Sequence, residues 1–152
     1  FLAGLSDRIS NLQKQPGRLV QTVEQSSLEV WDNSLSGINP TEKTVSYYVK
    51  GAVLGFVLDA RIRRATRGRR SIDELMRRAY RRYSGARGFT GEQFRATASE
   101  VAGQDLSAWF QRATASTDEI DYGEARFSAD GRSYAYTFER RLSDLLLIEG
   151  FD

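Results

Sequence analysis

The sequence predicts a mainly α fold: a bundle-like set of helices around one buried helix at about residues 46–66, with a short β-hairpin-like segment at the C-terminus. Three observations predict it. Residues 47–58 carry a single charge, Lys50, and the apolar pattern continues through Ala60, Ile62 and Ala65. A run this apolar reads as a helix buried on most of its circumference, and it is too short for the roughly 20 residues of a membrane span. Helix-start signals recur along the chain, whereas strand-like alternation is absent until about Tyr122.

Taken in order, Leu2, Leu5, Ile9 and Leu12 recur at helical spacing, and Gln15-Pro16-Gly17 stops that helix. Residues 18–25 are ambiguous. Ser26-Ser27-Leu28-Glu29 has the form of a capping box before a short helix that would bury Leu28 and Trp31. Residues 33–44, with Gly37 and Asn39-Pro40, read as a loop leading to the central helix, for which Thr44 or Ser46 is the expected N-cap. Gly51 and Gly55 lie four apart on that helix, so a second backbone is expected to approach closely there.

The central helix is expected to end near Thr66-Arg67-Gly68. Ser71-Ile72-Asp73-Glu74 is a second capping box, starting a helix with Ile72, Leu75, Met76, Ala79 and Tyr83 on one side. After the turn at residues 84–88, Thr90 caps, Gln93 reaches back and Phe89 can staple to Phe94. That helix carries Ala98 and Val101 and ends at Gly103. Asp105 caps a last helix holding Leu106, Trp109 and Phe110. Beyond it, residues 133–138 alternate strictly after Asp130-Gly131, and residues 145–148 form a second strand-like run. The division expected is a helical unit over residues 1–123 and a β-containing extension, or the start of a following domain, over 124–152.

Composition narrows the chemistry. The 152 residues contain neither cysteine nor histidine. No disulfide or thiolate metal site is possible, and the commonest zinc ligand and general base are missing from this chain. The net charge of +2 conceals an uneven distribution, because residues 61–82 hold ten arginines against Asp73 and Glu74. That cluster spans two helices and a turn, and reads as a solvated face or helix-end feature rather than a nucleic-acid site. The acids Glu24, Glu29, Asp32, Asp118, Glu119 and Asp121 show no spacing that favours one site. The chain opens mid-pattern at Phe1 and reads as a piece of something longer. It identifies no compartment.

The segment Thr44-Val45-Ser46-Tyr47-Tyr48-Val49-Lys50-Gly51-Ala52-Val53-Leu54 resembles the Tyr-x-Lys-Gly-Ala stretch of gluzincin metallopeptidases. It is most similar to the glycyl aminopeptidase-like branch that carries a PDZ domain. Gln15-Pro16-Gly17-Arg18, Ser27-Leu28-Glu29-Val30-Trp31, Asp59-Ala60-Arg61-Ile62-Arg63, residues 68–76, Gly88-Phe89-Thr90 and Thr117-Asp118-Glu119-Ile120-Asp121-Tyr122 extend the likeness, in order, over about residues 1–123. The resemblance implies the helical C-terminal subdomain of a thermolysin-like zinc peptidase. In that family the zinc ligands come from a His-Glu-x-x-His helix and a following glutamate, both upstream of the matched region.

The chain itself is therefore expected to hold no cofactor and to be inactive in isolation, with zinc in the parent protein. Its expected partners are the N-terminal zinc-binding part of the same protein and a peptide substrate; neither nucleic acid nor a membrane is expected. By position, the resemblance makes Tyr48 the tyrosine that hydrogen-bonds the tetrahedral oxyanion, with the adjacent Tyr47 as rival. A phenol, with an ordinary pKa of about 10, remains a donor at pH 7. The alternatives are a core aromatic role for Tyr48 and, for the whole chain, a non-catalytic helical interaction module or a basic nucleic-acid-binding domain. Lys50, alone in the apolar run, would either snorkel outward or pair with a carboxylate of the missing subdomain.

Overall fold

A computed structural model describes residues 2–31, 43–86, 88–122, 126–127 and 134–135. The fold is mainly helical: α1 (Leu2–Gln13), a 3-10 turn (Pro16–Leu19), α2 (Val23–Leu28), α3 (Tyr47–Ala65), α4 (Ile72–Tyr83), α5 (Gly91–Ala102) and α6 (Ser107–Ala115). The central helix is α3, which packs against α1, α2, α4 and α5, while α6 closes on α2 and α5. Its buried residues Lys50, Val53, Leu54, Val57, Leu58 and Ile62 fall on one broad face, about half of the circumference. Tyr48 and Ala52 are exposed on the other side, so burial is less complete than the apolar run led one to expect.

One core cluster joins Leu54, Val57, Leu58 and Ile62 to Leu75, Ala98, Val101, Leu106, Trp109 and Phe110. A smaller one joins Leu12, Val45 and Val53. Ile120 and Tyr122 pack against both, so the segment after α6 returns across α3 and ties the two clusters together.

The start and stop signals of α3 act as the sequence predicts. The Ser46 hydroxyl accepts from the Val49 amide at 3.3 Å. At the other end Arg67 and Gly68 take positive φ angles of 54° and 75°, and the Gly68 amide reaches the Arg63 carbonyl at 2.7 Å. The Thr90–Gln93 capping box is complete, and the Phe89 and Phe94 rings lie 5.8 Å apart. Gly103 ends α5 in the left-handed conformation. Asp105 accepts from the Ser107 amide at 2.9 Å, one residue ahead of the N-cap position.

Five expectations differ. The first capping box is Thr22 with Gln25, four residues before the one expected at Ser26. The register shift leaves Leu28 and Trp31 exposed, at 81% and 77%, and turns Ser26 inward to donate to the Val45 carbonyl. Among the described residues no backbone crowds Gly51 or Gly55: the nearest atom to a Cβ at Gly55 is the Ile72 side chain at 4.0 Å, and Gly51 has nothing that close. The close approach falls at Gly17 instead.

Next, Met76 is half-exposed, because the buried stripe of α4 is narrow and centred on Leu75 and Ala79. The Ser71–Glu74 box is also incomplete. Ser71 accepts from the Asp73 amide, Asp59 of α3 accepts from the Ile72 amide at 2.8 Å, and Glu74 turns to Arg78. Last, the C-terminal hairpin is not established. Two-residue strands β1 (Arg126–Phe127) and β2 (Tyr134–Ala135) pair antiparallel, but Asp130-Gly131, the rest of residues 133–138 and the run at 145–148 lie outside the described residues. So does most of the loop expected at 33–44.

Candidate functional site

The two candidate tyrosines open α3. Tyr48 is 70% exposed and its ring packs against that of Tyr47, with centroids 4.2 Å apart and planes at 32°. The Tyr47 phenol is pushed up from its ordinary value, first by hydrogen bonding with Tyr48 and then by burial. Tyr48 is thus a surface phenol on the first turn of a deeply buried helix, not a core aromatic.

What fixes that turn is a layer of buried polar contacts. The chain through residues 43–46 runs against the 3-10 turn so closely that a Cβ on Gly17 would lie 2.1 Å from the Thr44 carbonyl oxygen. Buried Gln21 accepts from the Val45 amide at 3.1 Å and donates to Glu29 at 3.0 Å. Lys50, two residues after Tyr48, points inward. It is only 2% exposed, and its ammonium lies 3.4 Å from the Arg18 carbonyl oxygen. Burial is the largest influence on its pKa, which is pulled down; Glu119 opposes that shift and Arg18 adds to it. The expectation that Lys50 snorkels outward does not hold, and the carboxylate whose charge most favours its ammonium, Glu119, belongs to this chain.

That carboxylate is on the segment following α6. Glu119 accepts from Arg18 at 2.8 Å, and Asp121 pairs with Arg61 at 2.7 Å, whose guanidinium carbon sits 5.6 Å from the Trp109 ring centroid. Tyr122, whose hydroxyl accepts from Gln13 at 3.4 Å, is held above its ordinary value chiefly by burial. Among the described residues, the Nε atoms of Arg18 and Arg61 are buried without a hydrogen-bond partner. Each guanidinium is aimed by its terminal nitrogens at the returning segment. The same segment forms one wall of a cavity of about 90 Å³ floored by Leu54, Trp109 and Ala113. Tyr48 is not among its lining residues.

The remaining predicted groups do other work. Glu24 accepts from Thr114 at 2.8 Å. In the arginine cluster, Arg63 pairs with Asp59 at 2.6 Å, and Arg70 donates to the Val101 carbonyl at the end of α5. Arg78 and Arg82 share Glu100 at 2.6 and 2.7 Å. Arg78 and Arg82 therefore join α4 to α5, Arg70 ties the turn before α4 to the end of α5, and Arg63 pairs within α3. Asp32 lies outside the described residues. Among the described residues no three His, Cys, Asp or Glu side chains are grouped to hold a metal ion, and no helix is long and apolar enough to cross a membrane.

Sequence reasoning missed the Gly17 contact and the Lys50–Arg18–Glu119 arrangement. The available signals were a glycine directly after Pro16 and one cation inside an apolar run.

Fold and site together define a helical domain that presents a phenol at the head of its central helix. The model of the M61 glycyl aminopeptidase family matches residues 1–54, which covers α1, α2 and the first turns of α3, with both tyrosines and Lys50. Over those residues, about a third of the chain, the sequence is similar to that family. No curated protein and no solved structure gives a significant match.

Proposed function

We propose that the chain is the helical wall of the substrate cleft in a zinc-dependent, aminopeptidase-like metallopeptidase of the gluzincin type, within the PDZ-containing branch. In this reading Tyr48 donates its phenolic hydrogen to the oxyanion of the tetrahedral intermediate. A preorganised donor of this kind contributes about 10²–10³ in rate. The carrying observation is an exposed phenol at the head of a buried helix, inside the span that matches a glycyl aminopeptidase family.

The residues present do not fit a resident zinc site, since the sequence lacks His and Cys and the described carboxylates are dispersed over helix caps and ion pairs. Metal and general base belong, in this reading, to another part of the same protein. Leu19, Val20, Leu28 and Trp31, all exposed, sit on the elements around the first turn of α3. A second lobe closing the cleft would cover them.

The test is Tyr48→Phe in the protein assembled with its zinc-bearing part. The phenol's loss lowers kcat by about 10²–10³ with KM little changed. A kcat near that of the parent ends the assignment.

A further inference from the structure

Lys50 is an expensive residue to bury. A lysine ammonium taken out of water loses its hydration, and here the compensation is a long 3.4 Å contact to one carbonyl oxygen. A methionine of similar length would fill the same space without that cost. Such a locally unfavourable choice marks a position held for something other than stability. Its geometry indicates what. The ammonium joins the first turn of α3 to the Arg18 carbonyl; the Arg18 side chain joins the 3-10 turn to Glu119 at 2.8 Å; and Gly17 brings the same turn against Thr44, just ahead of the helix. The first turn of α3 is thus fastened from beneath to two other parts of the chain.

We propose that Lys50 is a positioning residue that sets the direction in which Tyr48 is presented, with Glu119 as its distant counter-charge through Arg18. The inference rests on the proposed role of Tyr48 and names what controls it. Glu119 and Asp118 on the segment after α6 favour the ammonium, and Arg18 on the 3-10 turn opposes it. Fastening is complete only while the segment is seated. Release of that segment removes the carboxylates, favours the neutral amine and loosens the turn that carries the phenol.

The test uses the full chain and needs no activity. In Lys50→Met, amides of residues 49–51 exchange about tenfold faster or more, a local opening rather than a global one. The contact between the Tyr47 and Tyr48 rings, read by NMR, averages out, while exchange in α4 and α5 stays within about twofold. In Glu119→Gln, an exposed-site change that the fold tolerates, the Lys50 ammonium titrates at lower pH and the same amides accelerate in the same direction. Acceleration in Lys50→Met alone retains the anchor and removes Glu119 from it. If Lys50→Met does not fold, Glu119→Gln decides. An undisturbed ring contact and unchanged exchange in the folded variants overturn the proposal. That result leaves the kcat of Tyr48→Phe free to succeed, and a failed kcat test leaves the anchor measurable.

Discussion

Gly17→Ala probes the contact on which the site's geometry depends. A Cβ there would lie 2.1 Å from the Thr44 oxygen and 2.5 Å from its carbonyl carbon and amide nitrogen. Ordinary separation is about 3.5 Å, so the two backbones must part by about 1.4 Å. These are main-chain atoms and cannot rotate aside. The separation strains three neighbouring contacts: Val45 amide to Gln21, Ser26 to the Val45 carbonyl, and Lys50 to the Arg18 carbonyl. At a net value of about 1 kcal/mol each, losing two or three of them costs about 2–3 kcal/mol. For a chain of this size that lowers Tm by roughly 5–10 °C. Urea unfolding followed by far-UV circular dichroism reads the change as a lower midpoint at unchanged slope. The control is Gly51→Ala, where a Cβ meets nothing within 4 Å among the described residues and a helical alanine stabilises by roughly 0.5–1 kcal/mol. A Gly17→Ala protein as stable as its parent would refute the close approach.

Other outcomes follow from the same packing. Leu75→Ala, at a position with no exposure, loses about 3 kcal/mol, whereas Tyr80→Ser, 74% exposed, stays within about 0.5 kcal/mol in the same assay. Asp59→Ala removes both the acceptor for the Ile72 amide and the Arg63 partner and costs about 1–2 kcal/mol, with faster amide exchange confined to the start of α4. Glu100 is held below the usual carboxylate range, mainly by its hydrogen bond to Arg82 and then by the Arg82 and Arg78 charges. Because its folded value is depressed, its contribution is fully present above a glutamate's ordinary value of about 4.3 and is lost as pH falls through the folded value. Glu100→Gln should therefore flatten the acid limb of an unfolding series and leave stability near pH 7 less dependent on salt.

The central helix was legible because its signals are local: an unbroken apolar run, a serine before it and a glycine after it. The Thr90 box and the aromatic pair beside it were legible for the same reason. Local rules misplaced the first capping box because Thr22-Val23-Glu24-Gln25 and Ser26-Ser27-Leu28-Glu29 have comparable forms. Tertiary bonds from Gln21 and Ser26 to Val45 settle the choice. The glycines were misjudged in the same way: spacing on a helix pointed to Gly51 and Gly55, while the crowded position was Gly17, whose place after Pro16 marked only a helix stop. For the site, a motif placed Tyr48 on the chain, and the fold adds its exposure and the inward path of Lys50. The Arg18–Glu119 and Arg61–Asp121 pairs join residues 101 and 60 apart, and separations of that size leave no periodic trace in a sequence.

The most direct measurement compares the affinity of a tetrahedral transition-state analogue with that of a ground-state peptide, in the zinc-loaded assembled protein with and without the Tyr48 hydroxyl. A donor aimed at the oxyanion predicts that Tyr48→Phe weakens the analogue by about 10²–10³ and barely changes the peptide. Equal effects on both ligands, or none on either, would contradict the account.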